Sequence, residues 1–470
     1  MIPESVKLSA SVGKLLSTPS SENTTETVYS RVDCEFKNLS ERFRHEKKDF
    51  TKQYAHIYAV RLTKMRELLL KKVHNKWGSD VHVRKLSELE EEASGKCVII
   101  GTLFKHQKLK PSVLKEISEE HQLIPQPSRT HFVDEHDQLI LEDELQRIRL
   151  IGNLNVHLVV TGVVCAVYGH EEGDGKFIVD DFCWTGLSEP VERPLQLKED
   201  RFVVFLSGLD LVNSSDSLLP LQLFVDWIGG FLGDMGEQER QASAVRVIIA
   251  GNSIRGYAEF KVPVLQNIYT TDVEDSITLE ATKLLDDFLV QLTSSIDIDV
   301  MPGEFDPTNH MMPQQPLHYC MLPQASRYET FHGVSNPYDC EIGGRRMLGT
   351  SGQPIEDIAR YSNLTDPLDI LQHTLEWAHL APTCPDTLSC FPYYQEDPFI
   401  ITEYPDIFFA GNQPNFQTKL YTGDQGQKVR LICIPAFSKS CSCVVVNLKN
   451  LDCYPVCFGA AEPKSPMPDK

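Results

Sequence analysis

Two short runs, Arg201–Leu206 (RFVVFL) and Val245–Ala250 (VRVIIA), are apolar at almost every position. Each ends in a loop of small residues, Ser207-Gly208-Leu209 after the first and Gly251-Asn252-Ser253 after the second. A strand with one wet face alternates apolar and polar side chains, so runs like these belong to a sheet covered on both faces. A covering helix is expected at about Asp275–Ser294, where Ile277, Ala281, Leu284, Leu285, Phe288 and Leu292 recur at three- and four-residue steps. Ile298-Asp299-Val300 then runs into MPGEFDP, and further strands are expected at Ile407–Ala410, Val429–Pro435 and Cys443–Leu448. Beyond residue 200 the grammar is α/β.

Upstream the pattern differs. Strands are expected at Cys97–Phe104, Arg147–Ile151, Val159–Tyr168 and Lys176–Phe182, the last two joined by HEEGDG, whose Asp174-Gly175 is a hairpin signal. Gly101 and Gly162 inside them suggest a sharply coiled small barrel of OB type, with a helix at Pro111–His121 between strands. Before the barrel, Phe50, Tyr54, Ile57, Tyr58, Leu62, Met65 and Leu69 mark one face of a helix. Arg61, Lys64, Arg66, Lys71, Lys72, Lys76, Arg84 and Lys85 make the stretch 61–85 the most basic in the chain, readable as a solvated face or as a docking surface for protein or DNA. The chain divides into a flexible or peripheral segment (1–45), an OB-fold domain (46–185), an α/β domain (186–460) and a disordered tail (461–470).

Composition narrows the function. A net charge of -21 over 470 residues repels phosphate backbones, so DNA contact is expected to be weak or indirect. No run reaches the roughly 18 to 20 apolar residues of a membrane span, and Val156–Tyr168, the longest candidate, is better read as a buried strand. The thirteen cysteines include no CxxC pair, which favours free thiols in a reducing compartment, cytosol or nucleus.

In open α/β sheets, chemistry sits at the carboxyl ends of strands. Here those ends are Ser207–Leu209, Gly251–Ser253, Pro302–Asp306 and Gly411–Pro414, with Leu317-His318 before the last. The layout resembles the calcineurin-like metallophosphoesterases, which place D-x-H, G-D, G-N-H-D/E, a lone H and G-H-x-H at successive loops. Two metals about 3.5 to 4 Å apart need those groups to clamp the attacking and leaving oxygens. Against that pattern the turn residues Gly208, Gly251, Pro302, Gly303 and Gly411 remain, but Ser207, Leu209, Asn252, Glu304, Phe305, Asn412 and Pro414 stand at degenerate ligand positions. Leucine, phenylalanine and proline cannot coordinate a metal, and only His318 and, in support, Asp306 match the enzymes. No catalytic residue, metal or cofactor is expected.

An OB barrel followed by such a sandwich is similar to the B-subunit family of eukaryotic replicative DNA polymerases. FTKQYAHIYAVRL (50–62), IGTLFK (100–105), LILEDELQRI (139–148), VMPGEFDPTN (300–309), PQQPLHYCM (313–321), RMLGTSGQ (346–353) and APTCPDTLSCFP (381–392) carry the resemblance. It implies a nuclear, non-catalytic scaffold in replication and repair. Its partners would be the C-terminal cysteine-rich module of the polymerase catalytic subunit, the third subunit with its indirect link to the sliding clamp, and a fourth small subunit, within a heterotrimer or heterotetramer.

Two other classes compete. An active phosphodiesterase or nuclease would need ligands that these loops lack. A single-strand-binding barrel would stack bases on aromatics, for which Tyr168, Phe177 and Trp184 are candidates. His56 and His157 read as structural, and Glu142-Asp143-Glu144 as a solvated acidic helix end.

Overall fold

The computed structural model describes residues 29–45, 49–89, 95–111, 129–172, 175–191, 197–256 and 269–459. Strand β1 (Phe36–Asn38) comes first, then helix α1 (Ala55–Trp77). Six strands follow, β2 (Val83–Arg84), β3 (Cys97–His106), β4 (Gln138–Glu142), β5 (Arg147–Gly152), β6 (Val164–Glu172) and β7 (Lys176–Cys183), in one sheet ordered β2-β3-β4-β5-β7-β6. An additional antiparallel β3–β6 pairing closes it into a barrel, with β5 and β7 parallel. This is the OB topology.

The remainder holds β8 (Phe202–Leu206), α2 (Leu218–Ile228), α3 (Met235–Ala242), β9 (Ala244–Ala250), α4 (Tyr269–Thr293), β10 (Asp297–Met301), β11 (Phe331–Gly333), β12 (Tyr338–Ile342) and β13 (Arg345–Thr350). After them come α5 (Gln353–Tyr361), α6 (Pro367–Glu376), β14 (Ile407–Gln413), β15 (Gln417–Thr422), β16 (Lys428–Pro435), β17 (Ser442–Asn447) and β18 (Cys453–Cys457). They build two mixed six-stranded sheets, β11-β10-β9-β8-β17-β18 and β1-β12-β13-β14-β16-β15. Val203, Phe205, Ile248 and Met301 of the first pack against Tyr338, Phe409 and Ile432 of the second. The outer face of the first sheet is covered by α2 and α4 through Phe224, Leu285 and Leu289. The outer face of the second meets α5 and α6 in an apolar cluster that continues unbroken into the barrel interior, from Leu348 and Ile370 to Val98 and Leu141.

Several expectations need correction. The segment 1–45 was expected to be flexible or peripheral, yet β1 pairs with β12 and Phe43 is fully buried. Arg31 donates to the Ile228 carbonyl at 2.6 Å and Arg42 pairs with Asp339 at 3.0 Å, so the chain is tied down well before residue 46. Only Val164 onward of the Val159–Tyr168 run is strand, because Gly162 has φ +92° and a Cβ there would sit 1.9 Å from the Pro382 carbonyl oxygen. That glycine serves a close contact with the sandwich as well as the turn of the chain into β6. Ile277 and Leu284 of α4 face solvent while Leu289 is buried. Glu142-Asp143-Glu144 ends a strand and turns, with Asp143 Oδ1 accepting from the Leu145 and Gln146 amides, and is no helix end. The helix expected at Pro111–His121 and the 461–470 tail lie outside the described residues.

Arg61 is the largest departure. Read as part of a basic surface, it is instead fully buried on the inner face of α1. Its Nε lies 2.7 Å from Asp397 Oδ2, and its terminal nitrogens donate to the carbonyls of Gly162 (3.2 Å), Pro382 (2.9 Å) and Cys384 (2.8 Å). Asp397 also receives His379 Nε2 at 3.0 Å. One guanidinium thus joins α1, the barrel and the sandwich. Burial would raise the Asp397 carboxyl, but Arg61 and then His379 hold it well below the usual carboxylate range. Burial, reinforced by Arg61, pushes the His379 ring down to about 4.

Replacing Arg61 by Ala should lower unfolding stability by about 3–5 kcal/mol, since Asp397 would be left buried and unpaired. Arg61→Lys should recover little of it, because an ammonium cannot span this fork. Denaturant unfolding measures both. The His379 ring takes up its proton more readily unfolded than folded, so stability should fall as pH drops from about 6.5 to about 4. His379→Gln should flatten that part of the stability–pH curve.

Candidate functional site at the strand ends

The carboxyl ends of β8, β9, β10, β13 and β14 meet on one rim, and their loops are knotted by hydrogen bonds. The Gly208 amide donates to the Gly251 carbonyl at 2.9 Å, and the Asp210 amide to the Asn252 carbonyl at 3.1 Å. Gly251 has φ +83°, and a Cβ there would press to 2.5 Å on Ser351 Cβ, so only glycine lets the loops approach this closely. Asn252 and Asn412 hold φ of +54° and +58°, a conformation asparagine tolerates better than most residues.

The side chains of Ser207, Asn412 and Asp306 are directed into the knot. Ser207 Oγ lies 3.0 Å from the Pro435 carbonyl and accepts the Asn412 amide at 2.9 Å. Asn412 Nδ2 donates to the carbonyls of Ala250 (3.1 Å) and Ser351 (2.8 Å). The Asp306 carboxylate is fully buried by its loops and accepts the amides of Ser253 (3.2 Å), Ile254 (2.9 Å) and Gly303 (2.9 Å). Burial raises that carboxyl and the amides oppose it. Behind them lies an uncharged network that no sequence pattern discloses, in which Asn336 Nδ2 donates at 2.8 Å to Gln314, Ser351 and Gln353.

The structure brings Asn252, Glu304, Asn412 and Pro414 together around one cavity of about 230 Å³. The Phe305 amide donates to Asn252 Oδ1 at 3.2 Å. Ser207 lies beneath, fully buried, and Leu209 belongs to the apolar cluster under α2 and α4. His318 does not join them. It is exposed, accepts the Cys320 amide at 3.3 Å and packs its ring at a tilt against Tyr319. Among the described residues no group of three or more His, Cys, Asp or Glu is placed to hold a metal ion. Leu209, Phe305 and Pro414 offer no donor atom on their side chains, so the residues present do not fit the metal pair of a phosphoesterase.

The barrel aromatics are likewise engaged inside. Trp184 packs on Phe182 and Trp377, Tyr168 stacks on Trp77, and Phe177 is fully buried. Phe177 is thus closed to a base, and Tyr168 and Trp184, half-buried, each already spend a ring face on a neighbour. Lys76 is paired with Asp181, Lys71 with Glu189 and Arg66 with Glu144, which removes much of the basic character of the 61–85 stretch.

Asp306→Ala should cost about 2–4 kcal/mol, because it strips the acceptor from buried amides. Hydrogen exchange should show Ser253, Ile254 and Gly303 losing protection before the strands do.

Two family models match in the same order as the two structural regions. The DNA polymerase delta subunit OB-fold domain falls on residues 53–182, and the B subunit of DNA polymerase alpha/epsilon on 203–418. The DNA polymerase delta subunit 2 of Drosophila melanogaster is 44% identical, covering 91% of this chain and 98% of its own. The DNA polymerase delta small subunit of Arabidopsis thaliana is 42% identical, covering 92% and 98%. That of Saccharomyces cerevisiae is 29% identical, covering 90% and 93%. Identity of this degree along nearly the whole of each chain makes the protein a member of the DNA polymerase delta small-subunit family.

Proposed function

We propose that the chain is a non-catalytic scaffold subunit of a DNA polymerase delta complex. It would hold the cysteine-rich C-terminal module of the catalytic subunit and the third subunit at once, in the nucleus, with a fourth small subunit joining and the sliding clamp reached through the third. The observation that carries this reading is the strand-end rim. In a phosphoesterase the side chains at these ligand positions would point outward to two metals; here Ser207 and Asn412 point inward and fasten loops to one another, beside the supporting Asp306. A rim built this way is rigid without chemistry, which suits an architectural role. The sandwich is thus read as a degenerate calcineurin-like phosphoesterase, with Ser207, Leu209, Asn252, Glu304, Phe305, Asn412 and Pro414 at the former ligand positions.

The acidic net charge of -21 favours encounter with basic partner segments, and that attraction weakens as salt rises. The purified chain should hydrolyse neither phosphodiesters nor single-stranded DNA above background in the presence of manganese. Elemental analysis should find no stoichiometric zinc, iron or manganese. Co-expressed with the catalytic tail and the third subunit, it should co-elute with both on size exclusion. Turnover abolished by Glu304→Gln, or elution alone while the other two remain soluble, would defeat the reading.

A further inference from the structure

The cavity above the loop knot has unused chemistry. The Glu304 carboxylate, half-buried in its wall, makes no hydrogen bond or ion pair with the described residues, while the neighbouring Arg360 is paired with Glu356. Asn252 is only 7% exposed, and its Oδ1 is taken by the Phe305 amide. Its Nδ2 has no hydrogen-bond partner among the described residues, and the residue lines the cavity. Ile355, Ile370 and Pro414 add apolar surface that could pack a methylene stem, beside the polar Gln353, Glu356 and Thr365. A ligand complementary to this set carries a cation at the end of a methylene stem and a carbonyl oxygen near its base. A guanidinium suits the carboxylate better than an ammonium, because its planar fork donates two parallel hydrogen bonds.

We propose that this cavity binds an arginine residue from a basic segment of a partner protein, its guanidinium on Glu304 and its main-chain carbonyl on the Asn252 amide. The proposal rests on the rim holding no metal pair. The electrostatics agree with it. Burial and then Glu356 raise the Glu304 carboxyl, Arg360 and His310 counter only in part, and Asp357 adds to the rise. A carboxylate held in that state gains from an arriving cation.

The probe is Nα-acetyl-L-arginine amide, titrated into the full-length chain and followed by NMR or calorimetry, with Nα-acetyl-L-citrulline amide as the uncharged isostere. The arginine probe should bind in the millimolar range, as fits so small a ligand. The citrulline probe should bind at least about 10-fold more weakly, and Glu304→Gln should reduce the arginine probe to that level. Arg360→Met, which removes a competing cation, should tighten binding about 3-fold. Equal affinity for both probes, an unaltered affinity in the Glu304→Gln chain with an unchanged melting temperature, or no binding of the arginine probe at tens of millimolar would each overturn the proposal. A manganese titration separates the two levels. Stoichiometric manganese that displaces the probe would defeat the non-metal reading itself, whereas absence of both manganese and probe would defeat only the arginine site.

Discussion

The fold turns on one buried guanidinium. Arg61 reaches Asp397 across 336 positions of chain and, with the same planar group, caps carbonyls from the barrel and from the sandwich loop. None of these acceptors could be buried there without a donor, and a lone charge could not be buried at all. Gly162 makes the arrangement sterically possible, since its missing Cβ lets the barrel backbone close on Pro382 while its carbonyl accepts from Arg61. The His379 ring, held neutral by burial and by that guanidinium, completes the shell around Asp397.

A second buried ion pair does comparable work between the sheets. Arg246 on β9 meets Asp299 on β10 at 2.6 Å, and Tyr338 on β12 donates to the other Asp299 oxygen at 2.8 Å across the sandwich. Phe36 of β1 covers the Arg246 guanidinium at 3.8 Å, which is why so short a strand can be held at the sheet edge. Burial raises the Asp299 carboxyl, and Arg246 and Tyr338 answer it. Together with the Asn336 amide network behind the rim, these contacts give most of the charged and amide groups buried between the sheets a partner, as buried polar groups generally require.

What the sequence disclosed followed from local rules. Strands β8 and β9 were legible because Phe202–Leu206 is apolar throughout and Ala244–Ala250 at every position but Arg246, and their small-residue ends located Ser207 and Asn252 on a common rim. The convergence of Asn252, Glu304, Asn412 and Pro414 on one cavity follows from that placement. The failures were non-local. Periodicity cannot tell that Arg61 faces inward, because the partner that makes its burial tolerable lies in a distant loop. The residues around Arg31–Phe43 read as part of a flexible or peripheral segment, yet Ser40 and Arg42 bond to β12 groups about 300 positions away. Leu209 and His318 sit beside the rim in sequence, but one is drawn into the helix-covered core and the other to the surface. Likewise Trp184 and Tyr168 are paired with aromatics of α1 and the sandwich that no barrel strand foreshadows.

The apolar cluster that runs from the barrel interior to α5 and α6 has a mechanical meaning. Two domains joined by a linker normally reorient, because few apolar contacts cross between them. Here the described residues from Arg31 onward form one compact unit, with no break at the barrel's end. A pull on a protein held by the barrel would therefore reach one held by the sandwich undiminished by any hinge, so their separation and relative orientation are properties of this chain's core packing.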